Sequence, residues 1–534
     1  MIGRYGVMTW VGWGLALGAC GDSVGSDATA DSDAAVDSDA AVDSDAAAVD
    51  SDADAVDTSG PTPPATLEAR GFTEVRVIAH LHSAFSHDGC DNLGLDADGH
   101  PNAPCVRRLK AALCRERIGH VFMTDHPSHM NERQWDELFY LDAGDERLTD
   151  ADGQLWAARF ACPAGEGGPD GRVTFMVGFE GTHTMPLGLR RQIDWQRNAS
   201  FTLDTPAAAL AAVTATVRES GGRVAIAHSE QDDISAEMIA GNDVSAMEIY
   251  NFHANFNQVL GSGLGDALFR LEDFIAPDAA VPDPDLAALI LLGNYPVAAL
   301  DKWRAVSAVR PITAITGADA HENVSFEAAC KDTDACDGLA TLYPNLVDYL
   351  KVGGPVWQSD DERLDGYSRV FRWAQNRVMV PGADAADPLA VEAALFAGRS
   401  SVVFEVFGEA PGVSLVAVDG DGALHDLGAT VARAGTTLWA RTPDLPLPPA
   451  FADWTDPSGA TLEAVVWRSD ADGVHEVARW SEPGTWREIP LDAVGSYQLE
   501  VWITPRHLAP ALGPAADLAD GTYRWVESNA IRVE

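Results

Sequence analysis

The stretch "VIAHLHSAFSHDG" (residues 77–89) ends an apolar run with two closely spaced histidines. His80 and His82 are two residues apart, so both side chains point to the same face if the run is a strand. Core packing does not require two adjacent imidazoles at such a place, whereas a metal ion does. The stretch therefore predicts a strand whose carboxyl end forms one side of a metal site.

The first 20 residues are typical of an export signal. One early arginine precedes an apolar run that is too short to span a bilayer and ends in small residues. The ending "LGAC" (17–20) resembles the bacterial lipobox, whose cysteine is lipidated; the alternative is an ordinary cleaved signal with an incidental cysteine. We expect a lipid anchor at Cys20 that holds the protein on the bacterial cell envelope, at the outer membrane or the cell surface.

Residues 21–66 are predicted to be a disordered tether. The segment repeats "DSDAAV" and contains twelve aspartates but no aromatic residue, so it cannot bury enough apolar surface to fold. No glycine turns pace the aspartates, which argues against a calcium-binding repeat.

The charge of the chain restricts its partners. The formal net charge is −45 over 534 residues, and so acidic a chain repels nucleic acid and anionic lipid at long range. We therefore expect no stable binding of nucleic acid. The sequence leaves the oligomeric state open.

Six cysteines remain besides Cys20, and an even number in an exported protein suggests disulfides. Cys330 and Cys336 lie in one polar loop and form the best-supported pair. The other four allow three pairings, of which we favour Cys90–Cys105 with Cys114–Cys162.

Strand-like and helical segments alternate along the first half of the chain. Strands are predicted at 74–82, 119–126, 172–180, 223–229, 245–251 and 311–321, and helices around 105–117, 205–221 and 284–309. This alternation is typical of a parallel α/β sheet or barrel, which places its chemistry at the carboxyl ends of the strands. From about residue 410, short alternating runs between turn residues predict a small β-sandwich.

Five histidines end or follow these strands, and carboxylates occupy similar positions. Imidazole and carboxylate together suit zinc, iron or manganese, and the lack of cysteine at the strand ends argues against a structural zinc site. We predict a multinuclear metal site formed by residues of this set: His80, His82, Asp88, Asp125, His126, Glu180, His228, Glu248, Asp319 and His321.

The order of the motifs resembles the PHP superfamily, the polymerase and histidinol phosphatase-type metal-dependent phosphoesterases. The motifs are H-x-H with a downstream "SHDG", then "TDH", "GFE", "AH" and "GADAH", and "ALFAGRSSVVF" (394–404) closes a resemblance over roughly residues 72–405. The resemblance implies an α/β fold with a distorted (β/α)7 barrel at 67–408, followed by the small all-β, sandwich-like domain at 409–534.

Carried over position by position, the resemblance implies two or three divalent ions of zinc, manganese or iron. Three ligand sets follow: His80, His82, Glu180 and Asp319 for the first ion, Glu180 and His228 for the second, and Asp88, His126 and His321 for the third. The family usually supplies another histidine to the second ion. Our candidate is His183, which lies closer to Glu180 along the chain than expected; otherwise it is a loop residue or a substrate contact.

Other residues are candidates for supporting roles. His253 is a candidate leaving-group acid, with an outer-shell or purely structural role as alternatives. Arg190 and Arg191 could hold a phosphate through paired hydrogen bonds, or be surface arginines on a helix. Asp125 and Glu248 are interpreted as residues that orient ligands.

The resemblance implies hydrolysis of small-molecule phosphate mono- or diesters by metal-activated water. Two alternatives stay open: a metal-dependent hydrolase of amides or esters on the same barrel, and a non-catalytic surface-binding lipoprotein. The complete ligand set argues against the second alternative, since a decayed site is expected to lose ligands.

Overall fold

The computed structural model describes residues 62–130, 132–195, 202–256, 269–275, 283–293, 296–326, 328, 334–358, 360–449 and 454–534. The predicted export signal, Cys20 and the tether up to residue 61 lie outside these ranges. Residues Pro63–Glu534 form one compact unit.

The described part of the chain contains thirteen strands between residues 72 and 403. They are β1 (Phe72–Ile78), β2 (Ile118–Met123), β3 (Glu146–Thr149), β4 (Leu155–Ala161), β5 (Arg172–Val177), β6 (Thr184–Leu187), β7 (Arg223–Ile226), β8 (Ala246–Asn251), β9 (Thr313–Gly317), β10 (Ser325–Phe326), β11 (Gly354–Pro355), β12 (Gln375–Pro381) and β13 (Ser400–Val403).

These strands form two main sheets with parallel centres. In the larger sheet β1, β2 and β5 are parallel neighbours, flanked by antiparallel β4 and β3 on one side and by antiparallel β12 and β13 on the other. In the smaller sheet β7, β8 and β9 are parallel, and β6 lies antiparallel to β7. All predicted strands of this region are present, and the α/β class is confirmed.

The two sheets are connected at their edges and enclose a core. Isolated bridges join Leu81 to Ala320 and Val177 to Leu189. Residues of both sheets form a buried cluster separate from the main core: Val75, Val77, Phe122, Met176, Met185, Leu187, Ala225, Ala246, Ile315 and Val378. Between the described residues, however, the hydrogen-bonded ladders do not close into a regular barrel.

Helices connect the strands and cover the sheets. They are α1 (Ala103–Arg115), α2 (Pro127–Met130), α3 (Ala207–Glu219), α4 (Ala236–Ala240), α5 (Ala288–Leu292), α6 (Ala298–Val309), α7 (Asp334–Leu339), α8 (Pro344–Val352), α9 (Tyr367–Trp373), α10 (Pro388–Phe396) and α11 (Ala509–Leu512). The start of α1 is fixed by Asn102, whose side chain accepts a hydrogen bond from the Cys105 amide.

The prediction of a single helix near 284–309 is wrong. A short 3₁₀ turn (Pro284–Ala287) leads into α5, which ends at the Gly293 cap, and α6 begins only at Ala298. Pro296 lies between the two helices, and its missing N–H and bulky ring disfavour a continuous helix.

The last part of the chain is mostly β-structure. Its strands are β14 (Ser414–Val418), β15 (Leu424–His425), β16 (Thr430–Val431), β17 (Thr437–Arg441), β18 (Ala460–Asp470), β19 (Gly473–Trp480), β20 (Trp486–Ile489), β21 (Gly495–Pro505), β22 (Tyr523–Ser528) and β23 (Ile531–Val533). Strands β15, β14, β17 and β20 form one sheet, and β14 packs against β21 and β23. Because β22 pairs with β13, the second layer continues the larger sheet. The domain boundary at 408 stays a prediction.

Two disulfides brace the helix α1. Cys90 pairs with Cys105 and Cys114 with Cys162, at Cα–Cα distances of 6.1 and 5.4 Å. The pairing favoured from the sequence is thus present. Cys330 lies outside the described residues, so its predicted pairing with Cys336 stays a prediction.

Across the part of the chain that the structure describes, every helix is too short or too polar to cross a membrane.

Candidate metal centre

The predicted ligands meet at the carboxyl ends of five parallel strands. His80 and His82 follow β1, His126 follows β2, Glu180 follows β5, His228 follows β7, and Asp319 and His321 follow β9. The loop after β1 also carries Asp88. Residues distant in sequence converge because parallel strands end at the same edge of a sheet.

The donor atoms form two groups of four. The inner group is His80, Glu180, His228 and Asp319; the outer group is His82, Asp88, His126 and His321. Within each group, the four donor atoms lie within 4.8 Å of one another. Every ligand predicted from the sequence except His183 is a member of one of these groups.

His82 lies between the two groups, and the distances around it test whether a metal fits. His82 Nε2 is 3.1 Å from His80 Nε2, 3.1 Å from Glu180 Oε2 and 3.2 Å from Asp319 Oδ1. His80 Nε2 is 3.3 and 3.2 Å from the same two oxygens. Ligand atoms of a tetrahedral zinc site lie about 3.4 Å apart, given metal–ligand bonds of about 2.0–2.1 Å. The four atoms therefore fit around one ion.

The tautomers of the histidines support the same conclusion. His80 Nδ1 donates to Glu248 Oε1 (2.7 Å), and His321 Nδ1 donates to the Asp319 carbonyl (2.8 Å). His82 Nδ1 donates to Ser86 Oγ (3.0 Å), whose own proton goes to Asp88 Oδ1. In the neutral rings Nε2 then carries a lone pair instead of a proton. Two such lone pairs 3.1 Å apart beside carboxylate oxygens repel one another unless a cation lies between them.

Glu180 is shared by both groups. Its Oε1 is 2.9 Å from His228 Nε2, while its Oε2 is within 3.4 Å of His126 Nε2 and closer still to His80 and His82. Asp319 is buried, and neither of its carboxylate oxygens has a hydrogen-bond partner. A buried carboxylate without donors is costly unless a cation compensates it.

Glu248, interpreted from the sequence as a residue that orients ligands, contacts two of the candidate ligands. Besides holding His80, it accepts from the His228 amide at Oε2 (2.8 Å) and from Asn251 Nδ2 (3.1 Å). It is fully buried. Gly317 makes room for it, since a Cβ at this position would lie 1.9 Å from Glu248 Oε1.

Gly317→Ala should therefore weaken metal binding without unfolding the protein. The methyl group displaces a carboxylate that three hydrogen bonds hold in place, and loss of an outer-shell partner costs about 10–100-fold in metal affinity. Titration of the metal-free variant with Zn²⁺ measures the effect. Gly338→Ala is the control, because nothing lies within 4 Å of an added Cβ there. Equal affinities of the two variants would contradict the role given to Glu248.

Asp125 acts on the backbone rather than on a ligand ring. It accepts from both the amide and the hydroxyl of Ser83, the residue after His82 (2.5 Å each). The serines were missed in the sequence, although Ser86 stands two residues before Asp88 in the motif itself. Glu230, 3.5 Å from His228 Nδ1, was also missed.

Two of the candidate ligand residues have left-handed backbones. His228 and Asp319 both have a φ of 49°. For residues other than glycine this conformation costs about 1–2 kcal/mol each. Such strain clusters at functional sites, where the surroundings over-determine the conformation.

Without a metal, protons take its place electrostatically. Burial lowers the pKa of His80, but Asp319, Glu248 and Glu180 outweigh it and hold that pKa well above its ordinary value. Glu180 likewise outweighs burial and raises the pKa of His228. Burial raises the pKa of the Glu180 and Asp319 carboxyls, but the imidazoles, His80 foremost, bring both well below the usual range.

Metal binding should therefore release protons and strengthen as the pH rises. The pKa values of His82 and His126 are raised too, because nearby carboxylates outweigh burial, and only neutral imidazole binds a metal. Calorimetric titration with Zn²⁺ in buffers of different ionisation enthalpy counts the protons released. The folding stability of the metal-free protein should, in contrast, fall as the pH rises. Raised histidine pKa values stabilise the fold below about pH 6.5, and this contribution is lost as the pH rises through them. A zinc affinity that is constant between pH 6 and 8 would contradict the expected release of protons on metal binding.

His183 and His253 lie outside both groups. The Leu203 amide donates to His183 Nδ1 (3.1 Å), and His183 Nε2 lies 3.3 Å from Asp233 Oδ2. The His253 ring centroid is 4.9 Å from that of His321. Burial, reinforced by charge on His321, lowers the pKa of His253 to about 4, which disfavours the protonated form that a leaving-group acid needs.

The structure does not bring Arg190 and Arg191, the candidate phosphate contacts, to the histidines. Strand β6 runs antiparallel to β7. Its first residue, Thr184, lies opposite Ile226 near the cluster, and its last, Leu187, lies opposite Arg223 at the other end of β7. There Arg190 pairs with Glu392 and lies over the Trp156 ring, while Arg191 donates to the Glu219 carbonyl (2.8 Å).

Comparison with known proteins gives little further guidance. No protein-family model matches the chain, and no curated protein matches it. One similar solved structure is a two-domain protein from Bacteroides vulgatus ATCC 8482, described as containing a predicted PHP-like metal-dependent phosphoesterase. It has 13% sequence identity and a TM-score of 0.28, over 85% of this chain and 96% of its own. A TM-score this low does not establish a common fold.

Proposed function

We propose that the protein is a metal-dependent phosphoesterase of the PHP type, which hydrolyses phosphate mono- or diesters of small molecules. The observation that carries the proposal is the position of Glu180. One carboxylate reaches donors of the inner and the outer group, so ions held by the two groups would be close neighbours. Closely paired ions are characteristic of enzymes that displace an alcohol from phosphorus.

The distorted barrel of this family is part of the proposal. It is supported by the bridges between the two sheets and by the enclosed core to which both contribute. The ligands at the carboxyl ends of the parallel strands match the place where barrels carry their active sites.

We assign the candidate ligands to three positions around Glu180. His80, His82 and Asp319 share Oε2 of Glu180 on one side, while Asp88, His126 and His321 gather on the other. His228 lies at Oε1. Divalent ions bound there lower the pKa of water and neutralise phosphoryl charge. The Nδ1 hydrogen bonds of His80 and His82 leave Nε2 of both rings facing the ions, and Glu248 and Ser86 fix the orientation of these two rings.

A second candidate is a metal-dependent hydrolase of esters or amides. It is favoured by one observation: Arg190 and Arg191 are occupied at the far end of β7, and no described Arg or Lys forms an ion pair with either group. A phosphate would then be held by the ions alone. A carbonyl substrate does not need a cationic clamp.

Hydrolysis of chromogenic substrates tests the two candidates. The protein is assayed with p-nitrophenyl phosphate, bis(p-nitrophenyl) phosphate and p-nitrophenyl acetate, each with added Mn²⁺ or Zn²⁺. Metal-dependent release from a phosphate ester supports the phosphoesterase. Release from the acetate alone supports the second candidate, and no release with a fully metal-loaded protein contradicts both.

We also propose that the protein is exported and anchored by a lipid at Cys20, with residues 21–66 as a tether. Two disulfides support export, since such bonds persist in oxidising compartments. Cys20→Ser should then move the protein from the membrane to the soluble fraction. A variant that still sediments with membranes after a high-salt wash would contradict the anchor.

A further inference from the structure

The Cys90–Cys105 disulfide lies beside the outer group. The Cys90 amide donates to the carbonyl of His321 (2.8 Å), and Cys90 follows Asp88 by two residues. The loop that supplies one outer ligand is therefore hydrogen-bonded to the residue that supplies another. The disulfide fastens this loop to α1 through Cys105.

Tyr367, the first residue of α9, completes the arrangement. Its hydroxyl donates to the carbonyl of His82 (2.9 Å) and lies 4.0 Å from Cys90 Sγ and 3.8 Å from Cys105 Sγ. The ring and both cysteines are buried. The sulfur pair thus packs against the hydroxyl that holds the backbone of His82, the member of the outer group that lies nearest the inner one.

The loop would not keep this conformation by itself. Cys90, Asp91 and Asn92 have φ values of 56°, 59° and 58°, three left-handed residues in succession without a glycine. Such residues are individually unfavourable and persist only where the surroundings impose them. Besides the disulfide, the loop is held by the Asp91 amide, which donates to the Glu322 carbonyl (2.9 Å), and by an ion pair between Arg363 and Asp91.

The inner group is held by different contacts. Glu248 and Asn251, both on β8, orient His80 and His228. In the described contacts, neither the Cys90–Cys105 disulfide nor Tyr367 reaches His80, Glu180, His228 or Asp319. The Cys114–Cys162 disulfide ties the end of α1 to the segment after β4 and contacts neither group.

We propose that the Cys90–Cys105 disulfide and Tyr367 are positioning residues for the outer group, so that losing them empties one metal position and leaves the inner one filled. The inference rests on the proposed metal centre but not on its substrate. The outer metal position would then depend on a disulfide bond, whereas the inner position would not.

The test compares the two disulfides. The Cys90→Ala/Cys105→Ala and Cys114→Ala/Cys162→Ala proteins are loaded with Zn²⁺, freed of excess metal and analysed for bound zinc, with circular dichroism as the check of folding. The first variant should lose about one equivalent of zinc, and the second should keep the wild-type content. The second bond closes a longer loop, 48 residues against 15, so its removal should destabilise the fold at least as much. If zinc were lost only because the whole fold is destabilised, the Cys114→Ala/Cys162→Ala protein should therefore lose at least as much zinc as the Cys90→Ala/Cys105→Ala protein.

Two further variants identify the position that is lost. Adding His321→Ala to the Cys90→Ala/Cys105→Ala protein should remove no more zinc, whereas adding His228→Ala should. Tyr367→Phe, which removes only the hydroxyl, should weaken zinc binding about 10–100-fold, as other outer-shell changes do. This variant decides the matter if the double cysteine variant fails to fold.

Equal zinc content and affinity in the wild type, the Cys90→Ala/Cys105→Ala protein and Tyr367→Phe would overturn the inference while leaving the phosphoesterase proposal intact. A wild-type protein that binds no zinc, Mn²⁺ or Fe²⁺ would overturn both. Zinc binding as expected, without hydrolysis of phosphate esters, would support the inference and count against the proposed function alone.

Discussion

Glu180→Gln should be the most damaging single substitution, with loss of bound metal and a fall in phosphoesterase rate of more than about 100-fold, beyond the usual cost of an outer-shell change. The carboxylate contacts four imidazoles and serves both groups through its two oxygens. A neutral amide offers only one oxygen and no charge, so ions on both sides lose compensation. Elemental analysis beside hydrolysis rates measures the effect.

Glu392→Gln provides a matched control for this substitution. Glu392 is also buried and also paired with a cation, but it lies beside Arg190 at the opposite end of β7. Its variant should keep the wild-type metal content. Near-normal rates and full metal content in Glu180→Gln would refute the shared centre, and with it most of the functional proposal.

His82→Ala and Asp319→Ala should each abolish hydrolysis, and the double variant should be scarcely worse than either single one. The donor atoms of these residues lie 3.2 Å apart and fit around the same ion. When one ligand is gone the ion is lost or displaced, so a second loss has little left to remove. Residues that act as a unit give grossly non-additive effects.

Rates and metal content of the two single variants and the double variant measure this coupling. The His100→Ala/Asp96→Ala pair is a suitable control, since these residues belong to a separate, exposed group and should leave the rate unchanged. Losses that multiply in the His82→Ala/Asp319→Ala protein would show that the two residues act at separate ions.

The strand ends could be predicted because parallel strands impose a simple rule. Apolar runs such as 77–82 and 311–321 finish with polar residues, and all such ends meet at one edge. Hence eight of the nine predicted metal ligands lie together in the two groups. The antiparallel strands β12 and β13 give no such local signal, and the pairing of β12 with β1 and of β13 with β12 was not anticipated.

The position of Arg190 could not be predicted for the same geometric reason. It follows Glu180 by only ten residues, but β6 runs in the reverse direction, and four residues of strand carry the chain about 13 Å away from the site. Proximity in sequence says nothing about direction. Tyr367 shows the converse, since it contacts the His82 carbonyl from 285 residues away without any motif.

The pairing of β1 with β12 also decides when the protein can fold. Val77 lies opposite Asn376, which donates to its carbonyl across a sequence separation of 299 residues, and β12 in turn pairs with β13 and, through it, with β22 near the end of the chain. The strand that leads to His80 and His82 is therefore synthesised first but gains its neighbour on this side only when the chain is 299 residues longer. Such non-local pairing slows folding and leaves apolar strands exposed in the meantime. We expect the nascent chain to depend on chaperones until its last strands have emerged, and fragments that stop before β12 to aggregate.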